Sequence, residues 1–333
     1  MQYLNTNTNH SVWKWRFVPI WVICLALIFF HIMPAWGTTI GFVDSFQGGE
    51  SSDFKLMRGE KRIPVAVSTS LHEGDTLIVS KFGRSIILEL VDSDNVTLNF
   101  NSPRPYIIKR AYPSNTIPGN LADIFSEWWG GLWENPEEEK DFARTKGEKL
   151  AMPLLEKGHN AKLLASKSEL SLTWHGGIPP YSVKVQQSYA PSKNCCRWEI
   201  DGVTSTTVVL KKSDLELKVG KYYLVSITDS HGKKGNKVEE SGNTVEGKFK
   251  VVAKNNLPSL SQKVKNRIKP LPDNKEKILE TSWLVSCNPQ WGFEAYQTVV
   301  KMPNSEAVRR FRKVLETKGP SHLKKDKCKE LAK

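Results

Sequence analysis

Cysteines are the residues in this 333-residue chain whose side chains could carry the most specific chemistry. There are five, and four follow the apolar N-terminal segment: Cys195, Cys196, Cys287 and Cys328. Thiolates and imidazoles bind zinc at short, regular spacings such as Cys-x-x-Cys. Neither that spacing nor His-x-x-x-His occurs here, although three histidines could assist: His159, His175 and His231. We therefore predict no metal site and no cofactor, and treat the four cysteines as candidates for disulfide bonds.

Three full pairings of the four cysteines are open. Adjacent Cys195 and Cys196 would close a strained small ring, so a bond from one of them to Cys287 or Cys328 is favoured, provided that these segments meet. Such a bond would tie a β-rich segment to the C-terminal helices and stabilise the fold by about 2–4 kcal/mol.

Sequence signatures of catalysis are missing. The chain has no Gly-x-Ser-x-Gly elbow, no His-Glu-x-x-His, and no nucleophile with a recognisable neighbouring base. The acidic run Glu137–Glu139 is consecutive, which spreads its carboxylates around a helix instead of pairing them. The sequence predicts a protein that is not an enzyme. A hydrolase acting on cell-wall polymer is an alternative that rests only on location and positive charge.

The N-terminal segment predicts export. Lys14 and Arg16 precede an apolar run over residues 17–33, and small Ala35 and Gly37 occupy the positions that a signal peptidase reads. Residues 1–37 are therefore interpreted as a signal peptide cleaved after Gly37, or as an uncleaved transmembrane helix that anchors the chain in the inner membrane. Both interpretations place the remainder in the periplasm.

Positive charge is concentrated at the C-terminal end. The chain carries a formal net charge of +13, and residues 254–333 hold 18 basic and 8 acidic side chains. Such a segment could contact an anionic envelope polymer or simply be a solvated tail. No nucleic-acid-binding motif accompanies the lysines, so the expected partner is an envelope protein or an anionic envelope polymer and not a nucleic acid.

Residues 38–110 have the pattern of short strands broken by turn residues. The β-branched runs of this segment are 40–43, 54–57, 63–67, 76–79, 85–91, 96–100 and 106–108. Three motifs follow one another within it: Gly41–Gly48, Leu71–Leu77 and Asp94–Leu98. In this order they resemble the periplasmic domain of the FecR family, over about residues 39–110, although Asp94-Asn95 replaces the usual Asp-Gly. The resemblance implies a compact, exported β module that presents a protein-binding surface. Gly74 and Asp75 are expected to form a structural turn.

Family members of the iron-dicitrate type pass a signal from an outer-membrane receptor to a cytoplasmic sigma factor through an N-terminal cytoplasmic region. This chain has sixteen residues before the apolar run, too few for an independent domain. We therefore do not predict the sigma-regulating activity of that family for this chain. A membrane-anchored FecR-type signal-transduction regulator, acting through that short stub, is the alternative.

Residues 111–160 are predicted to be a helical connector rich in tryptophan. Apolar residues recur there at steps of three and four, as in an amphipathic helix. The connector contains three closely spaced tryptophans: Trp128, Trp129 and Trp133. These tryptophans pack between domains or form an exposed patch for a partner or a membrane interface.

The period-two pattern resumes over residues 161–253, with six or seven strands, the size of an immunoglobulin-like sandwich. Six residues form a signature that resembles that of bacterial immunoglobulin-like domains: Trp174, Gly176, Gly177, Pro179, Pro180 and Tyr181. In such a fold Trp174 would be the core aromatic residue, and the two prolines would form the bend between two strands. Such folds bind ligands through loops or edges, and the fold alone assigns no ligand.

The C-terminal residues change to a helical period. We predict a linker over 254–274, a helical hairpin over 275–319 and a basic tail over 320–333, with Asn304 or Ser305 capping the last helix. The expected fold is mainly β: a FecR-like module and an immunoglobulin-like sandwich with short C-terminal helices. The expected function is non-catalytic: an envelope binding, scaffold or sensor protein of the periplasm.

Overall fold

The computed structural model describes residues 39–91, 93–110, 149–156, 160–188, 197–211, 216–230 and 243–323. Within these ranges it has fifteen strands in four sheets, followed by four short α-helices. The prediction of a mainly β protein with short C-terminal helices is therefore confirmed. The predicted leader over 1–37 and most of the connector lie outside the described residues. No helix in the described part of the chain is long and apolar enough to span a membrane.

The N-terminal β module (residues 39–91 and 93–110) has two four-stranded sheets, ordered β4-β1-β6-β7 and β3-β2-β5-β8. Its strands are β1 (Thr39–Gln47), β2 (Phe54–Arg58), β3 (Lys61–Ile63), β4 (Ser70–His72), β5 (Thr76–Val79), β6 (Ser85–Leu90), β7 (Val96–Asn99) and β8 (Tyr106–Ile107). Alternate apolar residues from both sheets share one core, including Val43, Leu56 and Leu77. Gly41 allows β1 to approach β6 closely, since a Cβ there would lie 2.7 Å from the carbonyl oxygen of Glu89.

The second β module (described residues between 160 and 253) has a five-stranded sheet, ordered β12-β11-β14-β15-β9, and a two-stranded sheet of β10 and β13. Its strands are β9 (Ala161–Leu164), β10 (Glu169–Thr173), β11 (Tyr181–Gln187), β12 (Arg197–Val203), β13 (Thr207–Lys211), β14 (Tyr222–Thr228) and β15 (Thr244–Val252). Neighbouring strands are antiparallel except β9, which runs parallel to β15. Leu172 and Val183, from the two sheets, belong to one core.

The helical region contains α1 (Gln262–Ile268), α2 (Asp273–Cys287), α3 (Gly292–Val299) and α4 (Glu306–Thr317). The hydroxyl of Ser305 caps α4 by accepting a hydrogen bond from the amide of Val308. Helix α1 occupies part of the segment for which a linker is predicted. The predicted tail begins with a 3₁₀ turn, Pro320–Leu323, and its remainder lies outside the described residues.

The helices cover both β modules. Phe42 of β1 belongs to the same apolar cluster as Trp174 of the second module and Phe293 of α3. Phe293 of α3 belongs to this cluster, and Leu284 of α2 packs with Leu164 of β9 and Val252 of β15 in a smaller one, so the helices remove apolar side chains of the second module from water. The helical region therefore sets how the two β modules are placed relative to each other.

Candidate functional site

Gly74 and Asp75 form a structural turn in the N-terminal β module. Gly74 has φ +86°, a left-handed conformation that favours glycine. The Asp75 carboxylate, only 1% exposed, accepts hydrogen bonds from Arg58 Nε at 3.0 Å and Nη2 at 2.9 Å. It also accepts one from the amide of His72 at 2.8 Å. These contacts use both carboxylate oxygens within the fold.

Replacing Asp75 with asparagine should lower the free energy of unfolding by about 2–3 kcal/mol, because the bidentate ion pair with half-exposed Arg58 is lost. Urea unfolding followed by tryptophan fluorescence measures the change. Glu73→Gln is the matched control: Glu73 pairs with Arg110 at 3.3 Å but is mostly exposed, so its loss should cost less than about 1 kcal/mol. Equal effects of the two substitutions would contradict the assignment.

His72 lies beside this ion pair, with its side chain close to both Arg58 and Asp75. Burial lowers the pKa of His72, and the Arg58 guanidinium lowers it further, while the Asp75 carboxylate acts in the opposite direction. Within the described residues, its Nδ1 atom is buried without a hydrogen-bond partner. The folded state therefore favours the neutral imidazole.

A lowered pKa in the folded state means that the unfolded chain takes up the proton first as the pH falls. We expect the free energy of unfolding to decrease as the pH drops below about 6.5, the ordinary value for histidine. His72→Gln should flatten this dependence, measured by urea unfolding at about pH 7.5 and about pH 5.5. His322→Gln, at an exposed position, is the comparison; if both variants keep the wild-type slope, His72 is not the responsible group.

The immunoglobulin-like signature residues lie around one corner of the second β module. Trp174 is buried and meets the Tyr181 ring edge-on, with centroids 5.3 Å apart. The Tyr181 hydroxyl donates to the carbonyl oxygen of Gly176 at 3.0 Å. Gly176 and Gly177 both have positive φ, and the Pro179–Pro180 peptide is cis. The buried ring of Trp174 and the turn glycines agree with a structural role for this signature.

The cysteine and tryptophan predictions fall mostly outside the described residues. Cys287, the last residue of α2, is disulfide-bonded, and its partner is outside the described ranges. The other candidate cysteines are outside them as well: Cys195, Cys196 and Cys328. The same holds for the candidate partner patch: Trp128, Trp129 and Trp133. The disulfide connectivity and the tryptophan patch therefore stay predictions.

A polar joint between the helices and the second β module was not predicted from the sequence. Gln297 of α3, 0% exposed, accepts a hydrogen bond from the amide of Ser171 at 2.7 Å and donates one to the carbonyl oxygen of Ser171 at 2.8 Å. Glu294, one turn earlier, accepts from the amide of Leu164 at 2.9 Å and pairs with Lys167 at 2.8 Å. Side chains of α3 thus satisfy backbone groups of β10 and β9 as a neighbouring strand would.

The helices join the N-terminal β module through a second set of buried polar contacts. Glu89 of β6 forms an ion pair with Lys275 of α2 and accepts a hydrogen bond from the amide of Ala307 at 3.2 Å. Asp44 of β1 accepts from the amide of Glu306 at 2.8 Å, at the first residue of α4. Two carboxylates at this helix N-terminus satisfy amides that have no partner within the helix.

A further, partly buried contact ties α3 to α4. The hydroxyl of Tyr296 donates to Glu316 Oε1 at 2.8 Å. Burial raises the pKa of Tyr296, and the nearby Glu316 carboxylate raises it further. Burial also raises the pKa of Glu316, although its hydrogen bond from Tyr296 opposes the shift. Tyr296 is 1% exposed and the Glu316 side chain 30% exposed, and their hydrogen bond joins α3 to α4.

An exposed aromatic tip stands on the turn between β5 and β6. Phe82 is 79% exposed and meets Phe100 edge-on, with centroids 5.9 Å apart. The Arg104 guanidinium lies over the other ring, 3.3 Å from the Phe100 centroid. Among the described residues, Phe82 is the most exposed large apolar side chain. The sequence predicts only a turn at Gly83. A phenylalanine between Lys81 and Gly83, at the tip of a turn, indicates an exposed aromatic side chain.

Basic side chains surround the aromatic tip. Lys81 pairs with Asp53 at 2.5 Å, and Arg84 pairs with the same carboxylate at 3.5 Å. The hydrogen bond from Lys81 lowers the pKa of Asp53, as do the hydrogen bond from the Glu50 amide and the two nearby cations. The carboxylate therefore stays ionised and fixes the base of the turn that carries Phe82.

Comparisons with known proteins give no relative for this chain: no family model matches it, and no curated protein matches it either. Within the described residues there is also no group of three or more His, Cys, Asp or Glu side chains that could hold a metal ion.

Proposed function

We propose that this chain is a non-catalytic binding and scaffold or sensor protein of the bacterial envelope. It acts in the periplasm, reached through the N-terminal signal, and stays attached to the inner membrane where that signal is not cleaved. The observation that carries the proposal is the aromatic tip. Phe82 is 79% exposed and packs edge-on against Phe100, whose ring also lies under the Arg104 guanidinium, and we assign this aromatic pair as the contact for a protein partner.

Family resemblance supports the same proposal. We assign residues 38–110 to a FecR-like module and residues 161–253 to an immunoglobulin-like sandwich. The buried turn at Asp75, which lies inside the most specific motif, supports the first assignment. Two facing sheets with Trp174 in their shared core support the second. Folds of both kinds bind ligands through their loops and sheet edges, which agrees with a binding role.

The helices explain why a binding protein would carry two β modules. Their buried contacts to Glu89 on one side and to Ser171 on the other hold the modules in a fixed relation. A partner bound at the aromatic tip and a ligand bound to the second module would therefore be held at a defined separation. This is the property that a scaffold or sensor needs.

Site-specific photo-crosslinking tests the proposal. A photoreactive phenylalanine analogue at position 82 of the full chain, expressed in the source bacterium, should form a crosslink to an envelope protein. The same analogue at Val219, a 55% exposed position in the second module, is the matched control and should not. Phe82→Ser should abolish recovery of that protein by affinity capture. Absence of a position-specific crosslink, or equal capture by Phe82→Ser, would overturn the binding role of the tip.

Intact-mass measurement on the envelope fraction tests the location. A chain beginning at Thr38 supports export with cleavage and removes the short stub that the membrane-anchored regulator needs. A full-length chain in the membrane fraction supports anchorage. Recovery of the full-length chain from the cytosol with free thiols would contradict the envelope assignment altogether.

A further inference from the structure

One edge of the two-stranded sheet in the second β module has no neighbouring strand. Within the part of the chain that the structure describes, β13 pairs with β10 on one side, and no strand lies on its other side. Val209, at the centre of β13, is 55% exposed. An unpaired strand presents backbone N–H and C=O groups that can pair with another chain. We call the outer side of β13 (Thr207–Lys211) the β13 edge.

The contacts of β10 show which backbone groups of β13 face outward. In an antiparallel pair, opposite residues alternate between those that bond to each other and those whose backbone groups point away from the pair. Ser171 lies opposite Val209, and its N–H and C=O both bond to Gln297 on the far side of β10. The N–H and C=O of Val209 therefore point away from β10. Three residues further, the Trp174 amide donates to the Thr206 carbonyl at 3.1 Å, as the alternation requires.

The two edges of this sheet differ in what covers them. On the β10 side, Gln297 gives Ser171 one donor and one acceptor, as a neighbouring strand would. On the β13 side, the Thr207 amide donates to the hydroxyl of Ser205 at 3.2 Å. The outward N–H and C=O of Val209 have no hydrogen-bond partner among the described residues. The sheet is therefore closed on one side and open at the centre of the other.

Other described sheet edges carry features that prevent pairing. In the N-terminal β module the edge strands β3, β4, β7 and β8 are only two to four residues long. Edge strand β12 has two exposed carboxylates, Glu199 and Asp201, and Gly202 with φ +75° lies where its register with β11 shifts. Short strands, charges and bulges protect exposed edges from pairing. The β13 edge has none of these between Thr207 and Leu210.

We propose that the β13 edge pairs with the same edge of a second copy of this chain. Antiparallel pairing about a twofold axis places Val209 opposite its own copy and Thr207 opposite the copy of Lys211. Residues 207, 209 and 211 alternate in step, so the outward backbone groups of one copy meet those of the other in each of these pairs. The result is a continuous four-stranded sheet in the order β10-β13-β13-β10.

Charge and side-chain fit favour a second copy as the occupant. Lys211 is the only charged residue of β13, and the antiparallel register puts the two copies of it at opposite ends, about 14 Å apart. That separation exceeds the Debye length of about 8 Å at physiological salt, so their repulsion is small. On its own chain each Lys211 also has Glu169 of β10 directly opposite. The exposed Val209 side chains meet at the axis, where each shields the other from water.

The expected association is weak and reversible. A five-residue edge buries far less than the roughly 1,200–2,000 Å² of a stable interface, so we expect a dissociation constant of about 10–100 µM. Attachment of two chains to one membrane or one polymer raises their effective concentration and would favour the dimer. This inference does not depend on the aromatic tip, and it adds a homodimeric state to the proposed scaffold.

Hydrogen exchange of the purified chain at two concentrations is the test. The Val209 amide should exchange about four- to tenfold more slowly at about 500 µM than at about 1 µM, the factor by which such dissociation constants deplete the monomer. The Val208 amide faces β10 and should be equally protected at both concentrations. Sedimentation velocity should show a monomer–dimer equilibrium over the same range.

Two substitutions at Val209 test the edge itself. Val209→Pro removes the outward N–H without removing a bond to β10, and should weaken the dimer by about tenfold or more. Val209→Lys keeps the backbone unchanged but sets like charges opposite each other, and should weaken it by a similar factor of about ten. Thermal unfolding verifies that each variant is folded.

Val219→Pro is the matched control. Val219 is also 55% exposed, and it precedes Gly220, which has φ +82° in a turn where the Lys221 amide donates to the Lys218 carbonyl. Proline is favoured at this position of such a turn. Val219→Pro should therefore leave the dissociation constant within about twofold of wild type.

Other results would overturn the pairing. A chain that stays monomeric, with rapid exchange of the Val209 amide at both concentrations, has no second copy at this edge. Slow exchange at both concentrations would mean that the chain itself covers the edge. A dimer that survives both Val209 substitutions uses another surface, and protection of Val209 only by an added envelope extract would assign the edge to a different protein. A monomeric chain that still crosslinks at position 82 would refute this inference and leave the proposed function standing.

Discussion

Replacing Glu89 with glutamine should lower the free energy of unfolding by about 3–5 kcal/mol, because it leaves the ammonium group of Lys275 buried without a counter-charge. Both side chains of this pair are almost entirely buried, at 3% and 4% exposure. The amide of Ala307 also loses the charged acceptor that it has at Glu89 Oε2. Urea unfolding followed by tryptophan fluorescence measures the change, and a second transition would indicate that the N-terminal β module has separated from the helices.

An exposed ion pair provides the control for this substitution. Glu169 and Lys301 are 3.1 Å apart, with both side chains more than two-fifths exposed. Glu169→Gln should therefore cost less than about 1 kcal/mol. The double variant Glu89→Gln/Lys275→Met removes the stranded charge and should recover part of the loss, since apolar replacement of buried ion pairs is often tolerated. If Glu89→Gln costs no more than Glu169→Gln, the joint to the N-terminal β module does not form in solution.

Replacing Gln297 with leucine should lower the free energy of unfolding by about 2–4 kcal/mol, because two buried backbone groups of Ser171 lose their partners. The side chain keeps a comparable volume, so the loss reports hydrogen bonding more than packing. Hydrogen exchange gives a local readout: the Ser171 amide donates to Gln297 in the folded protein and should exchange faster in the variant.

Gln262 is the matched control for Gln297. It lies at an exposed position of α1, where its amide donates to Asn266 at 2.8 Å. Gln262→Leu should leave both the stability and the exchange of the Ser171 amide within about 0.5 kcal/mol of wild type, since surface changes of this kind are small. Unchanged protection of Ser171 in Gln297→Leu would show that α3 does not hold the edge of β10.

The Glu89 and Gln297 substitutions each weaken the attachment of one β module to the C-terminal helices. Glu89 belongs to the N-terminal β module, which carries the aromatic tip, and Ser171 belongs to the second β module. Loss of either contact weakens the attachment of one module to the helices. In the proposed scaffold role, loosening the joint should leave partner binding at the aromatic tip intact while removing its coupling to the second β module.

Period-two apolar runs and turn residues predicted much of the β structure. The strand predicted over 76–79 coincides with β5. Ser305, one of the two residues predicted to cap the last helix, is the N-cap of α4. The strand predicted over 63–67 is wrong beyond Ile63. Pro64 lacks a backbone donor for a sheet, and the loop after it turns through Ser68, whose hydroxyl donates to Glu306 of α4 at 2.6 Å.

Alternation along β6 explains why the joint escaped prediction. Period-two reasoning puts Ile86 and Leu88 inside and leaves Glu89 on a solvated face. In the structure Glu89 is buried because helices from the end of the chain cover that face. Likewise, Gln297 lies within a helix that the apolar spacing predicts, but no residue near it in the sequence indicates that its side chain contacts the edge of β10. Contacts between residues more than a hundred positions apart leave no short-range pattern to detect.

The sequence by itself determined that the chain is mainly β, where most strands and the last helix begin, and that Gly74 and Asp75 form a turn, because these features depend on neighbouring residues and on local backbone preferences. Tertiary structure alone decided that the C-terminal helices join the two β modules, that Phe82 is exposed, and that Ser171 and Val209 lie opposite each other. Burial, exposure and cross-strand pairing depend on which distant segments meet, and that depends on the packing of the whole fold.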